Sequence, residues 1–389
     1  MANYISSNAN RFYVGLEASY AQAAPVTAGN RFPAVQLQAR QLLEQGKRLD
    51  KTGTRTFLGS SKDARRTTAF QTKTYLTSWT GLAEPSYGPL FHAALGAPAQ
   101  LTGGLTIGAV QSSVQLQTTT PHGLSVGSGA SFAGEIRFVT NVPDPSTIVL
   151  NAAFSTTPAA NAILPPVITY TLATGLPSVT LYDYWDPATA VSRMLIGAAV
   201  DTFGISVNGD YHEFVFTGPA ADLLDSASFS SGVGGLSSFP VEPALQQFDY
   251  SIVPGHLGEV WLGTAENQFF TLTGASLQLN NGIDVRNHEF GSSYPRAIAP
   301  GERVVTSEFT LFAQDDDQTS ALYAAAKQRT LISAMLQLGK QQGQLMGIFL
   351  PSMTPEIPNY DDAETRLQWE FKNNRAQGTL NDEISIAFA

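Results

Sequence analysis

The chain has 389 residues, and only 14% of them are charged, against roughly 25% in typical soluble domains. Abundant Gly, Pro, Phe and Tyr with few charges predicts a mainly β protein of more than one domain, and argues against a helical bundle, a coiled coil and a disordered chain. The lack of cysteine excludes disulfides, thiol catalysis and cysteine zinc sites, and the five histidines lack zinc-hydrolase spacing. A net charge of −10 disfavours general attraction to nucleic acid or anionic lipid.

The N-terminal part contains a strand and a basic segment. Residues 1–8 have no basic region and no apolar stretch, so we expect no secretory signal. After a strand predicted at Val35–Gln38, eight of the 22 basic residues fall between Lys47 and Lys73, opposed there by Asp50 and Asp63. This segment has three interpretations: a nucleic-acid site, a solvated loop, or a surface that docks on acidic parts of another copy. The acidic remainder of the chain disfavours the first.

A loop, a strand and a helix come next. The loop contains Gly59-Ser60-Ser61, and the alternating run Phe70–Leu76 predicts a strand. The sequence Pro85–Leu95 predicts a short helix that ends at Gly96, a residue type favoured just after a helix.

Residues 99–171 predict a small all-β domain inserted in a loop. Their only charges are Glu135, Arg137 and Asp144, and Gly and Pro separate short apolar runs. Five strands are predicted here: Leu105–Val110, Val114–Thr118, Ala130–Phe132, Ile136–Val139 and Thr147–Leu150.

Within this insert, the run Gly123 to Gly127 matches the serine-hydrolase nucleophile elbow, with Ser125 as the nucleophile. The elbow needs a strand before it and a helix after it, whereas a further strand-like run follows here. We therefore interpret it as a turn, and the neighbouring His122 as a turn residue.

Three hairpins are predicted farther along. Asn208-Gly209 joins alternating runs within 203–217, Asn280-Asn281-Gly282 joins those within 274–286, and a polar loop joins 365–371 to 384–388. The Ser- and Gly-rich segment 229–243 is typical of a linker.

Acidic residues Asp315–Asp317 precede a helix predicted to end near Arg329. They favour the start of a helix over a cation site, because the alternating ligands of a calcium loop are missing. No residue pattern nominates a catalytic pair or a phosphate loop.

An internal repeat is also predicted. Gly59-Ser60-Ser61 recurs as Gly291-Ser292-Ser293, and each copy continues with a strand, a short helix and a hairpin. We therefore expect two tandem domains, with these boundaries: 1–98 and 172–235 for the first, the second part including the linker, 99–171 for the insert, and 236–389 for the second.

The run Gly274–Ser293, with Pro300–Arg303, Ser307–Phe312 and the helix Thr319–Arg329, resembles tail tube proteins of long-tailed, non-contractile bacteriophages. Arg11–Glu17 and Thr54–Trp79 resemble the first part of the same family. The resemblance covers roughly residues 10–97 and 180–389. It does not cover the insert, which is similar to small β modules that phages add to virion proteins.

The resemblance implies a β-sandwich or half-barrel with a short flanking α-helix in each domain, and strands that join across subunits into a tubular sheet. Rings would contain three duplicated chains with pseudo-sixfold symmetry, or six subunits. Loops near 46–66 and 286–303 would contact adjacent rings or subunits. The candidate contact residues are Lys47, Arg48, Lys51, Arg55, Lys62, Arg65, Arg66, Arg286, Arg296 and Arg303.

The function expected from this resemblance is structural and not enzymatic, with no cofactor and no metal. Stacked rings would form the conduit for DNA ejection in the virion tail, assembled in the host bacterial cytoplasm, with an acidic lumen that repels phosphate. Its partners would be other copies, the tape measure protein and DNA in the lumen, and the terminator and distal tail proteins at the ends, with no membrane. The alternatives are an extracellular carbohydrate-binding or adhesive β protein and, last, an esterase using Ser125.

Overall fold

The computed structural model describes residues 4–46, 49–57, 59, 64–79, 84–207, 210–245, 250–264, 267–269, 271–363 and 365–389. The described chain is mainly β, as predicted. Its first elements are β1 (Asn10–Leu16), β2 (Arg31–Phe32), β3 (Ala34–Glu44), β4 (Arg65–Tyr75) and α1 (Gly88–Leu95). The next are β5 (Gln100–Thr102), β6 (Leu105–Val110), β7 (Gln115–Thr118), β8 (Gly129–Phe132), β9 (Glu135–Asp144), β10 (Thr147–Leu150), β11 (Ile163–Leu164) and β12 (Val167–Thr171).

The chain continues through a second series of strands and one more α-helix. These are β13 (Val179–Trp185), β14 (Arg193–Ala198), β15 (Thr202–Val207), β16 (Glu213–Ala220), β17 (Asp222–Asp225), β18 (Gly258–Gly263), β19 (Asn267–Gln268) and β20 (Leu272–Asn280). The last are β21 (Asp284–Val285), β22 (Ile298–Ala299), β23 (Val304–Phe312), α2 (Asp317–Gln328), β24 (Ile332–Leu338), β25 (Met346–Thr354), β26 (Asn359–Asp361), β27 (Gln368–Ala376) and β28 (Ser385–Phe388). Short 3-10 turns lie at Ala28–Asn30 and Val233–Gly235.

One long antiparallel sheet organises the molecule. Its strands follow the order β3-β4-β16-β15-β20-β23-β27. On the far side of β27, β26 pairs with its first part and β25 with its last part, where Met353 lies opposite Ala376, and the sheet continues there into β24, β18 and β19. Side chains alternate along these strands, so that Phe203, Phe216 and Phe309 are buried in the core while the intervening residues face outward. This alternation is the pattern of a sheet that packs on one face only.

The buried face packs on a second layer of strands. Over β3, β4, β15 and β16 this layer is the sheet β2-β1-β13-β14-β17, and over β20, β23 and β27 it is formed by β18, β24, β25 and β28. Helix α1 lies at this core, where Leu90 and Phe91 are fully buried, and α2 contributes Leu322, Ala325 and Ala326.

The two halves of the chain use the same order of elements and the same strand pairings. We call the strands β1–β4 and β13–β17 with α1 the first half, and β18–β28 with α2 the second half. In the first half β1 pairs with β13, β13 with β14, β14 with β17, β3 with β4, β4 with β16, and β16 with β15. In the second half β18 pairs with β24, β24 with β25, β25 with β28, β20 with β23, β23 with β27, and β27 with β26.

A shared irregularity sets the register between the halves. The β3–β4 ladder shifts between Ala34 and Gln36, and the β20–β23 ladder shifts between Leu272 and Gly274. Both shifts lie near the start of the first strand of the pair, as a one-residue bulge produces. When the two ladders are aligned on these bulges, Arg66 in β4 corresponds to Arg303, the residue just before β23.

The halves join through one strand pair. Strand β15 of the first half runs antiparallel to β20 of the second, with Thr202 opposite Asn280 and Val207 opposite Ala275. The long sheet therefore passes from one half into the other without interruption.

All five strands predicted within 99–171 are present, as β6 to β10. With β11 they form a sheet of order β11-β6-β7-β10-β9-β8, which has its own buried cluster including Ile107, Leu116 and Ile148. The run Gly123 to Gly127 lies between β7 and β8, with no helix after it, and the His122 ring contacts the Leu124 amide and the Asp144 carbonyl. The local structure is a turn, as predicted.

A buried cation fixes this small sheet against the second half. The Arg137 guanidinium donates to Gln337 Oε1 at 3.1 Å, to Glu135 Oε2 at 2.7 Å and to the Ala153 carbonyl, and lies over the Trp261 ring at 4.1 Å. Burial lowers the pKa of Arg137, and Glu135 opposes that shift. These contacts join β9 of the small sheet to β18 and β24 of the second half.

Both predicted helices are confirmed. Helix α1 ends at Gly96, whose φ of 95° suits glycine and whose N–H donates to the His92 carbonyl. Helix α2 starts after Asp316, whose carboxylate accepts a hydrogen bond from the Thr319 amide at 2.6 Å.

Two predicted hairpins are wrong. Residues 274–280 do not fold back on 283–286, because the Asn281 amide is buried and donates to the carbonyls of Ala94 and Val200. The turn residue is therefore used as a long-range anchor. The C-terminal strand β28 leaves β27 and pairs with β25 and β12, since its apolar side chains complete the other layer.

The predicted hairpin of β15 and β16 is confirmed, and its turn residues 208–209 lie outside the described residues. The expected linker 229–243 packs against the rest of the chain. Phe229, Val233 and Phe239 pack against the layer containing β1, and Glu242 forms an ion pair with Arg11.

Candidate assembly surfaces

The long sheet has two open edges. Strand β3 pairs with β4 on one side and, within the described residues, with no strand on the other. At the far end β26 pairs with β27 only, again counting described strands. An unpaired edge of this kind offers backbone donors and acceptors to another chain.

The edges carry charges that can complement each other. Strand β3 has exposed Arg40 in its middle and exposed Glu44 at its end, and exposed Asp361 and Asp362 lie at and just after β26. Arg40 near Asp361 and Asp362 favours pairing of these two edges with each other. Sequence reasoning missed both edges, because strand order is not visible in a single sequence.

The outward face of the long sheet is broad and mainly uncharged. Gln, Thr and Ser side chains dominate it, including Gln71, Thr217 and Gln278. Some charged side chains there form pairs, Lys73 with Glu213 and Lys372 with Glu370, and others such as Arg40 and Glu308 are spread among the polar residues. Charges of both signs therefore alternate with uncharged residues on this face.

The predicted contact residues fall into three groups. Lys47, Arg48 and Lys62 lie outside the described residues. Lys51 and Arg55 are exposed on the described segment 49–57 that follows β3. Arg65, Arg66, Arg286, Arg296 and Arg303 lie at the same end of the long sheet, near the start of β4, in the loop 281–303 and before β23.

Two of these arginines hold their own chain together. Arg66 pairs with Asp222 at 2.6 Å, and the Asp222 side chain is 1% exposed. Arg303 donates to Glu383, to Asn381 and to the Ala173 carbonyl. These contacts give Arg66 and Arg303 a role inside the subunit, at equivalent places in the two halves.

The remaining three arginines border one small contact. Arg65 Nη1 lies 2.6 Å from His288 Nδ1, and the Arg66 amide donates to the Ser293 carbonyl at 2.7 Å. Arg286 pairs with Glu289, and Arg296 donates to the Gly291 carbonyl, so both shape the loop that reaches Arg65. The structure thus brings the two predicted contact loops together at the start of β4.

No protein-family model matches the sequence, and a search of the curated proteins finds no match to it. Among the described residues, no group of His, Asp and Glu side chains is arranged to hold a metal ion. No helix in the described part of the chain is long and apolar enough to cross a membrane.

Proposed function

We propose that this protein assembles with copies of itself into the stacked rings of a bacteriophage tail tube. The observation that carries the proposal is the β15–β20 junction. It joins the last strand of one four-strand unit, β3-β4-β16-β15, to the first strand of the next, β20-β23-β27-β26. Within the described residues no strand pairs with the two ends of that series, as expected for a subunit whose edges are closed by neighbours.

A duplication accounts for the two halves. Six strand pairings recur in the same order, and so does the bulge at the start of β3 and of β20. Six such units per ring would then come from three chains, in agreement with the pseudo-sixfold ring that the sequence resemblance implies. Residues 99–171 form an addition to the first unit, a β module outside this repeat.

The internal junction fixes the register expected between neighbours. In β15, Gly204, Ile205 and Ser206 lie opposite Gln278, Leu277 and Ser276 of β20. The pairings that the two halves share identify which residues of β26 correspond to those of β15, and which residues of β3 correspond to those of β20. Across neighbouring chains, this places Asn359 opposite Arg40, Tyr360 opposite Ala39, and Asp361 opposite Gln38.

We assign the mainly uncharged face of the long sheet to the lumen. Its amide and hydroxyl groups, with charges of both signs among them, offer no continuous cationic surface, and counterion release therefore favours DNA binding little. DNA slides past such a wall. The tape measure protein would occupy the same space before ejection, and terminator and distal tail proteins would cap the tube.

Electron microscopy of the purified full chain at high concentration tests the proposal. We expect rings or tubes with a central channel, and three outer knobs when end-on views are averaged without imposed symmetry, one for each 99–171 module. Monomers that bind glycans on an array, with no rings at any concentration, would favour the carbohydrate-binding alternative instead.

A further inference from the structure

The first half contains an acceptor site that its own chain fills. We define the first acceptor site by Glu44, Arg65, Arg66 and Thr67, at the ends of β3 and β4. Residues 287–294 of the loop after β20 lie on it, through the Arg65–His288 contact and the bond from the Arg66 amide to the Ser293 carbonyl. Only about 10 Å³ of space remains between them.

The equivalent site in the second half is an open groove. Register matching takes Arg65 and Arg66 to Glu302 and Arg303, and each of Arg66 and Arg303 forms an ion pair with a carboxylate at or just before the last strand of its half, Asp222 or Glu383. A groove of about 710 Å³ lies there, and the described chain leaves it unfilled. Its walls include Leu176, Pro300, Val305 and Arg375 besides Glu302 and Arg303.

One segment of the chain matches the segment that fills the first site. When residues are counted back from Arg66 in the first half and from Arg303 in the second half, Lys51 corresponds to His288 and Phe57 corresponds to Tyr294. Segment 49–57 therefore occupies, between β3 and β4, the position that 286–294 occupies between β20 and β23. Leu49 is 79% exposed and Phe57 74% exposed. Both side chains are therefore available for burial against another chain.

We propose that segment 49–57 of a neighbouring copy lies in the groove at Glu302 and Arg303. Loop 281–303 follows β20 and extends past the neighbouring strands β15 and β16 to reach β4. If segment 49–57, which follows β3, extends past two strands in the same direction, it crosses the open edge of β3 and reaches the second half of the adjoining chain. The inference rests on the self-assembly proposed above and names the surface that each neighbour uses.

The chemistry of the two partners is complementary. Lys51 comes opposite Glu302, in the place where His288 meets Arg65 in the first site. Leu49 and Phe57 meet Leu176 and Pro300, apolar wall residues of the groove that are at least partly exposed. The contact therefore combines an ion pair that sets register with apolar burial that supplies affinity.

Disulfide trapping between separately made variants tests this contact, because the chain has no cysteine. Lys51→Cys protein is mixed with Glu302→Cys protein under mild oxidation, and mixed dimer is measured by non-reducing electrophoresis. The control mixes Lys51→Cys with Ser112→Cys, an exposed turn position in the small sheet. Thermal unfolding of each variant checks its fold, and microscopy of the same samples records rings.

We expect severalfold more mixed dimer from the Lys51 and Glu302 pair than from the control, in samples that contain rings. Rings without that excess would overturn the groove contact and leave ring formation standing. Excess dimer without rings would support the contact and contradict the ring. Neither dimer nor rings would overturn both proposals.

Discussion

The two halves of this chain share their internal pairings and differ where they face outward. Strand β15, which meets the other half, has six residues, whereas its counterpart β26 at the open edge has three. The first acceptor site is filled by the chain itself, and the second is an open groove. The first half also carries the sheet β6–β11 between α1 and β13, and the second half carries nothing there.

This difference separates two kinds of constraint. Pairings such as β4–β16 and β23–β27 recur because each one completes a buried core. Edges and loops diverge because one set meets its partner within the chain and the other set, in our proposal, meets it on another copy.

The largest effect is expected where the small sheet meets the second half. Arg137→Ala removes one of the two donors to Gln337 Oε1, which keeps the Ile136 amide, removes the donor to the Ala153 carbonyl, and leaves Glu135 without its ion-pair partner. We expect a loss of about 3–5 kcal/mol in the free energy of unfolding, measured in urea. Arg366→Ala is the control, because Arg366 lies over Phe312 on an exposed surface. Equal losses of unfolding free energy for both variants would contradict the role of buried Arg137 in joining the small sheet to the second half.

Equivalent arginines should respond alike in the two halves. Arg66→Ala uncovers the buried Asp222 carboxylate, and Arg303→Ala removes the partner of Glu383. We expect each variant to lose about 2 kcal/mol of unfolding free energy.

Arg65→Ala, at the exposed neighbouring position, provides the contrast and should lose less than about 0.5 kcal/mol. The comparison also shows why neither arginine isolates a contact between copies: Arg66→Glu would disturb the buried pair with Asp222, and Arg65→Glu would disturb the contact with His288 of the same chain. A stable Arg66→Ala protein would break the equivalence with Arg303.

The open edges are expected to respond to charge. Arg40→Glu places like charges near Asp361 at the proposed junction, which costs about 1 kcal/mol and raises the critical concentration for assembly about fivefold. Sedimentation measures that concentration. Adding Asp361→Arg to the same chain should restore it, and failure of the double variant to recover would count against this pairing of edges.

The smallest effect concerns pH and only the first half. Burial lowers the pKa of His212, whose Nε2–H donates to the Leu257 carbonyl and whose Nδ1 has no partner among described residues. The unfolded chain therefore takes up the proton first, and stability falls as pH drops below about 6.5, by no more than about 1.4 kcal/mol per pH unit. His212→Gln should flatten this slope in urea unfolding from pH 7 to 5. An unchanged slope would mean that titratable groups other than His212 cause the pH dependence of stability.

Local features were predictable from the sequence. The strands β6 to β10 follow apolar alternation between Gly and Pro, and α2 follows its acidic start. Prediction failed where a side chain acts over a long range. Asn281 reads as a turn residue, yet its amide bonds Ala94 and Val200, which lie far away in the chain.

The candidate assembly surfaces were visible in the sequence only in part. The sequence grouped the basic residues between positions 47 and 73, yet it did not separate Arg66, held by Asp222, from Arg65 beside it. These partners lie 156 residues apart in sequence. Strand order, which defines the edges β3 and β26, depends on such distant pairings.

A cryo-electron microscopy map of the assembled protein tests the central claim most directly. We predict rings of three chains in which β26 of one chain runs antiparallel to β3 of the next, with Asn359 opposite Arg40. A ring in which β3 and β26 both remain unpaired, or in which like edges meet, would contradict the account.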